Sequence, residues 1–375
     1  MLPPWASFVR GTVGTLIGIV LTLSSGKVSA QVVDMSRPWI AYSPTHYVPG
    51  ITDPTTAQVD ADLALLASVG FGGVMTYGAA QPLDRIAERG QAQGLATILG
   101  VWDPKSASEL ANAIAAAEHV AGYIVGTEGL LRGDYSLSEL EAAIVQLRSA
   151  TGKPVTTSEP WFVYLDNAAL RDVGDWLAPT VHPFWDWALK GLCAGTLDPL
   201  WAASWTADRY RDVVAVAGTK QVVLREAGLP AAPGSELSQA KQATYFRTLL
   251  ETDDVQFSFF EAFDQTWKSE LSCAGEVGTN WGLFGSDDSP KAMIAALAVC
   301  GDVNVDFIVD PADAALLRAH LADPVSLPLS SLAAARCTVI APLRPCDVLD
   351  AMLLLRALLA PLRPPGLAHA CLVAH

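Results

Sequence analysis

Gly122-Tyr-Ile-Val-Gly-Thr-Glu-Gly129 is a β-branched, apolar run that stops on a carboxylate, and Gln221-Val-Val-Leu-Arg-Glu-Ala-Gly-Leu-Pro230 repeats the pattern far along the chain. Short runs of this composition, bounded by glycine and proline, read as strands. An ionisable side chain that closes such a run stands at a sheet's mouth, where solvent and ligand arrive. Glu128 and Glu226 are therefore the first candidates for chemistry, since two carboxylates in different surroundings can divide proton transfer and attack between them.

Working outward from these two runs, further strand-like stretches cover Trp39 to Ser43, Gly73 to Tyr77, Thr97 to Trp102, Pro154 to Glu159, Thr180 to Trp185 and Phe257 to Asp264. Between them, Ala57 to Val69, Ala107 to Glu118, Ser138 to Ala150 and Ser238 to Glu251 carry apolar residues at helical spacing. Eight strands alternating with helices predict an α/β chain, a (β/α)8 TIM barrel occupying residues 31–300. The competing architecture is an open doubly wound sheet. The dinucleotide-binding version of it lacks its Gly-x-Gly-x-x-Gly turn after the first strand.

The chain has 375 residues, 51% hydrophobic and 17% charged, enough for one large core and a small appendage. Its net charge of −15 and the absence of any basic stripe exclude nucleic acid as a partner, while a neutral ligand is compatible. Arg10, the apolar run Val13 to Leu23 and Val28-Ser-Ala30 have the form of a signal peptide spanning residues 1–30, with export as the expectation. The rival is a retained anchor, but the run is shorter than the roughly 20 residues a spanning helix needs, so no stable span is expected after cleavage. All six cysteines follow this segment and read as structural, with Cys337 and Cys346 the most local pair and Cys193, Cys273, Cys300 and Cys371 open in their pairing.

In a barrel the reactive groups gather at the C-terminal ends of the strands. Those ends are Tyr42, Tyr77, Trp102 with Asp103, Glu128, Glu159, His182 with Trp185, Glu226, and Glu261 with Asp264. A strand-end carboxylate often caps a helix or pairs with arginine instead of doing chemistry. Glu128 and Glu226 differ in that a glycine or an Ala-Gly pair follows at once, which would let a bulky ligand approach the backbone.

Val125-Gly-Thr-Glu-Gly-Leu-Leu-Arg132, Val223-Leu-Arg-Glu-Ala-Gly-Leu-Pro230 and Phe259-Phe-Glu-Ala-Phe-Asp-Gln-Thr-Trp-Lys268 resemble motifs of glycoside hydrolase family 17, the β-1,3-glucanase family. Asn280-Trp-Gly-Leu-Phe284 and Ser289-Pro-Lys291 follow in consistent order, so the likeness spans roughly residues 36–300. The resemblance implies a retaining mechanism on β-1,3-glucan without a catalytic cofactor, with Glu128 as acid/base and Glu226 as nucleophile. It also implies that Glu159, Glu261 and Lys268 position substrate or tune charge. Thr127 stands where the family usually has asparagine, and its shorter reach to a sugar hydroxyl bears on rate and linkage. Retention would set the two carboxyl groups about 5–5.5 Å apart. A sugar in place of water would make the same site a glucanosyltransferase, and loss of turnover would leave a glucan-binding protein.

Among the 11 tryptophans, Trp185 and Trp267 are candidates to stack on sugar rings, and Tyr42, Tyr77 and His182 could bond hydroxyls. Beyond Cys300, Asp302, Asn304, Asp306, Asp310 and Asp313 have the spacing of a calcium loop, with a helix-like stretch directly after and Phe307 where glycine normally permits the turn. Residues 301–375 resemble a dockerin, with a second, degenerate copy around Asp347 and Asp350. The expectation is at most one structural Ca2+ and a cohesin-like or surface partner.

Overall fold

The computed structural model describes residues 32–189, 196–232, 237–252, 254–269, 271–272, 275–297, 303 and 311–327. Strands β1 (Trp39–Ala41), β2 (Gly73–Met75), β3 (Ala96–Val101), β4 (Gly122–Thr127), β5 (Val155–Ser158), β6 (Thr180–Val181), β7 (Leu224–Ala227) and β8 (Phe257–Phe259) form one parallel sheet. Its order is β5-β4-β3-β2-β1-β8-β7-β6. The last seam, between β5 and β6, is joined by a parallel bridge of Pro160 to Thr180. Backbone bonds from Asp175 N to Val155 O (2.9 Å) and Thr180 N to Glu159 O (3.0 Å) add to it. The sheet thus closes into the (β/α)8 TIM barrel that the alternation predicted.

Helices α1 (Thr56–Ser68), α2 (Ile86–Ala92), α3 (Ala107–Ala115), α4 (Gly129–Arg132), α5 (Leu137–Thr151), α6 (Trp161–Asp166), α7 (Ala168–Val173), α8 (Pro183–Leu189), α9 (Pro199–Val216), α10 (Gln239–Leu250) and α11 (Ala292–Leu297) connect or follow the strands, and α12 (Pro311–Ala322) lies beyond. Their starts are written locally: Thr55 with Gln58 and Ser136 with Glu139 form capping boxes, and Ser106 and Ser238 cap α3 and α10. The run Thr180 to Trp185 is a correction, because β6 ends at Val181 and Pro183 opens a helix, as its fixed φ favours.

Alternation along the strands divides two cores. Leu99, Tyr123, Val125, Leu224, Ala227 and Phe259 belong to the layer between sheet and helices. Trp39, Met75, Ile98, Ile124 and Val223 pack with Trp176 inside the barrel.

Candidate active site

The two glutamate-bearing strands share a backbone device. In β4 the register moves from Ile124 opposite Thr156 to Thr127 opposite Ser158, and in β7 from Leu224 opposite Phe257 to Ala227 opposite Phe259. Each shift inserts one residue, a β-bulge that re-aims the side chains beside it. In β7 both Leu224 and Ala227 stay in the outer layer, so Arg225 and Glu226 between them turn together toward the barrel axis. In β4 the bulge contains Gly126 at φ 72°, and Glu128 itself adopts φ 57°. That conformation is uncommon for a side chain other than glycine and is held by Glu128 N donating to Ser158 O at 2.8 Å.

Glu226 is 5% exposed and enclosed by donors. Tyr77 from the end of β2 donates its hydroxyl to Oε1 at 2.7 Å, and His182 Nε2, just past β6, lies 3.0 Å from Oε2. Arg225 Nη1 stands 3.7 Å from Oε1. Burial alone would raise the Glu226 pKa, but the His182 hydrogen bond, the Arg225 charge and the Tyr77 hydroxyl outweigh it and pull the carboxyl down to about 2. The surroundings of Glu226 thus favour its carboxylate form.

Glu128 is partly buried, and its Oε1 accepts from Thr180 Oγ1 at 2.6 Å. Thr180 is the register partner of Glu226 across β6 and β7. One threonine thus links the two carboxylates at the same end of the barrel, since side chains paired in register share a face. Among the described residues nothing else bonds the Glu128 carboxylate.

Next to Glu226 lies a second acid. Glu261 is fully buried, follows a cis peptide from Phe260, and accepts from Lys268 Nζ at 2.7 Å. Burial raises its pKa against the pull of Lys268, and the Glu226 charge adds to the rise. The Lys268 ammonium also stands over the rings of Phe260 (5.0 Å), Trp267 (5.5 Å) and Tyr77 (5.8 Å). Asp264 pairs with Lys291 at 2.6 Å.

Of the expected contact residues, Tyr77, His182, Glu261 and Lys268 converge around Glu226, and Thr127 ends β4 one residue before Glu128. Trp267 is 39% exposed and open to a ligand. Trp185 is half-buried, tilted against Trp281 at 6.2 Å and edge-on to Phe184 at 4.8 Å. Two of the expected contact residues face elsewhere. Tyr42 is 1% exposed and spends its hydroxyl on Asp62 of α1 at 2.9 Å, so it faces the helix layer and not a sugar. Glu159 has no exposed surface, and its two oxygens accept from Leu130 N (2.9 Å) and Leu131 N (3.3 Å). It holds the first turn of α4, immediately after Glu128, and burial lifts its pKa to about 7. The glycines after the glutamates are also not ligand openings: a Cβ on Gly129 would overlap the Tyr135 ring, and one on Gly228 would press on Phe260 O at 2.5 Å.

Sequence reasoning missed Arg225 and Thr180, and it placed Trp281 near the mouth as a packing residue. Arg225 is wholly buried, donates to Thr76 O at 2.6 Å and stacks 4.1 Å above the Tyr77 ring. Trp281 is 3% exposed and braces His182 (5.2 Å) and Phe260 (5.4 Å). The signals were an arginine inside an apolar strand and a threonine at a strand's start. Of the proposed calcium ligands, Asp302, Asn304, Asp306 and Asp310 lie outside the described residues, as do all six cysteines and residues 1–31. Asp313 is buried in the first turn of α12 and accepts from Val303 N at 2.6 Å. Among the described residues no three His, Cys, Asp or Glu side chains converge as metal ligands, and no helix is long and apolar enough to cross a membrane.

A closed parallel barrel with one buried, clamped glutamate and a second glutamate bonded to its register neighbour Thr180 is the arrangement of a glycoside hydrolase. The BtgE/BtgC glycoside hydrolase domain matches residues 40–282, and the chain belongs to that family. A glucan 1,3-beta-glucosidase of Saccharomyces cerevisiae is 24% identical over 276 residues, 64% of this chain and 85% of that protein. A cell surface mannoprotein of Candida albicans is 22% identical over 263 residues, 65% of this chain and 66% of its own length. The barrel is shared with a glycoside hydrolase family 17 beta-1,3-glucanosyltransferase from Rhizomucor miehei (TM-score 0.57, 23% identity, 70% of this chain, 98% of that one). It is shared also with an endo-laminarinase from Formosa (TM-score 0.59, 16% identity, 70% of this chain, 86% of that one).

Proposed function

We propose that this chain cleaves β-1,3-glucan by a retaining double displacement, with Glu226 as nucleophile and Glu128 as acid/base. The observation that carries this reading is the clamp on Glu226: Tyr77, His182 and Arg225 keep it a carboxylate, while Glu128 is held only by Thr180 and stays available to a leaving oxygen. In the first step Glu226 attacks the anomeric carbon as Glu128 protonates the departing oxygen. In the second, Glu128 takes a proton from water, the water oxygen bonds to the anomeric carbon, and the electron pair of the broken bond returns to Glu226. The names of the curated relatives support the substrate class. Laminarin tests it, by reducing-sugar release from the wild type and from Glu226→Gln. Equal release from both, with glucan binding intact, leaves a non-catalytic glucan-binding protein.

Transfer to a sugar is the second reading, favoured by the glucanosyltransferase among the structures that share the barrel. Products longer than a defined laminari-oligosaccharide would establish it.

Export to the cell surface or beyond fits the sequence of residues 1–30 and the cell surface relative. For residues 301–375 the reading remains a dockerin-like module with one structural Ca2+ and a cohesin-like or surface partner. The Val303 to Asp313 bond, which draws the two ends of the proposed loop together, supports it. Calcium added to the chelated full-length protein should raise the melting temperature of this module, and an unchanged melt removes the ion.

A further inference from the structure

Arg225 is more buried than a charged strand residue has reason to be. None of its surface is exposed, and of its five donors only Nη2 has a protein acceptor, Thr76 O at 2.6 Å. Nε and Nη1 are buried without a hydrogen-bond partner among the described residues. What the guanidinium does have is the Tyr77 ring 4.1 Å beneath it and the Glu226 Oε1 atom 3.7 Å from Nη1. Tyr77 in turn donates to that same oxygen at 2.7 Å. One carboxylate oxygen therefore feels the cation twice, directly and through a phenol whose ring the cation polarises.

We infer that Arg225 is the positioning residue for the second half of the reaction: its charge makes Glu226 a good leaving group from the glycosyl-enzyme. This rests on the retaining reading above. When water attacks, the bond between the anomeric carbon and the Glu226 oxygen breaks, its electron pair returns to the carboxylate, and the water proton passes to Glu128. The cation behind Oε1 stabilises the charge that returns. The other groups facing Glu226 are Tyr77 from β2, His182 after β6, and the Glu261–Lys268 pair after β8, with Glu128 reached through Thr180. Arg225 and Lys268 are the basic side chains among them, and Lys268 is committed to Glu261 at 2.7 Å.

The test uses the full chain with a 2,4-dinitrophenyl laminarioside, whose leaving group makes the first step fast. Arg225→Met keeps the bulk and removes the charge, and Arg225→Lys returns the charge without the planar stack. The expected result for Arg225→Met is a burst of about one dinitrophenolate per protein, followed by steady turnover slowed on the order of tenfold to a hundredfold. A glycosyl adduct on Glu226 should accumulate by mass spectrometry, and Arg225→Lys should show less of it. Carbon-13 NMR of the Glu226 carboxyl, assigned by Glu226→Gln, reads the same charge without turnover, and its titration midpoint should move upward in Arg225→Met. An active wild type whose two variants show neither adduct nor shifted titration overturns the role of Arg225. A folded wild type inert on both the dinitrophenyl glycoside and laminarin overturns the hydrolase reading on which that role rests.

Discussion

The ends of β4 and β7 are built alike and charged differently. Both carry a bulge at the glutamate, just before Glu128 in β4 and around Glu226 in β7, and Thr180 bonds Glu128 while pairing in register with Glu226. Around Glu226 the Tyr77 hydroxyl, the His182 ring and the Arg225 charge converge, whereas Glu128 has one hydroxyl. The backbone device delivers a carboxylate to the site, and in the proposed mechanism the neighbours divide the work: the clamped anion attacks and the lightly held group exchanges protons. The strongest way to break this comparison is to remove the anion. Glu226→Gln should lower kcat on laminarin on the order of 10⁴-fold with KM little changed, measured by reducing-sugar release. Glu226→Ala with azide should recover part of the turnover of an activated glucoside, giving a product of inverted configuration that NMR identifies.

Glu128 should respond to the leaving group, and Glu226 should not. Glu128→Gln should cost about 10²- to 10⁴-fold on laminarin, where the departing oxygen needs a proton. The first step on a dinitrophenyl glycoside should be nearly unaffected, because that group leaves unaided. Equal losses on both substrates would remove the distinction between the two strand ends.

The same contrast explains what could be read in the sequence. The barrel was legible because strands such as β3 and β4 are apolar runs bounded by turn residues, and several helices carry their own cap, as at Ser136 with Glu139. Glu128 and Glu226 were legible as carboxylates closing such runs. The direction of a strand-end side chain was not. Tyr42 and Glu159 end strands as Tyr77 and Glu226 do, yet Tyr42 turns outward to Asp62 and Glu159 turns to the backbone of α4. Strand position gives the level in the barrel, and pairing partners distant in sequence give the direction. Arg225 escaped because only the bulge in β7 places two successive side chains on the inner face, and a bulge depends on the neighbouring strand's register.

Glu159 offers a sharper probe of the β4 side. Its carboxyl is raised from an ordinary 4.5 to about 7, first by burial and against the pull of the Leu130 and Leu131 amides. A group whose folded pKa is raised binds its proton more tightly in the native state, so stability is lost as pH climbs from 4.5 through about 7. The loss should be at most about 3 kcal/mol, and Glu159→Gln, which cannot ionise, should not show it. Urea unfolding of both proteins across that interval measures the difference. Parallel curves would mean that the carboxyl is not the source.

The smallest expected effect tests the link itself. Thr180→Val keeps the shape of the side chain and removes the one hydroxyl that bonds Glu128, leaving the backbone bond from Thr180 N to Glu159 O in place. A hydrogen bond of this kind contributes about 0.5–1.5 kcal/mol, so the expectation is roughly a twofold to tenfold loss in kcat/KM on laminarin. Unchanged kcat/KM in Thr180→Val would mean that this hydroxyl does not hold Glu128 in its working position.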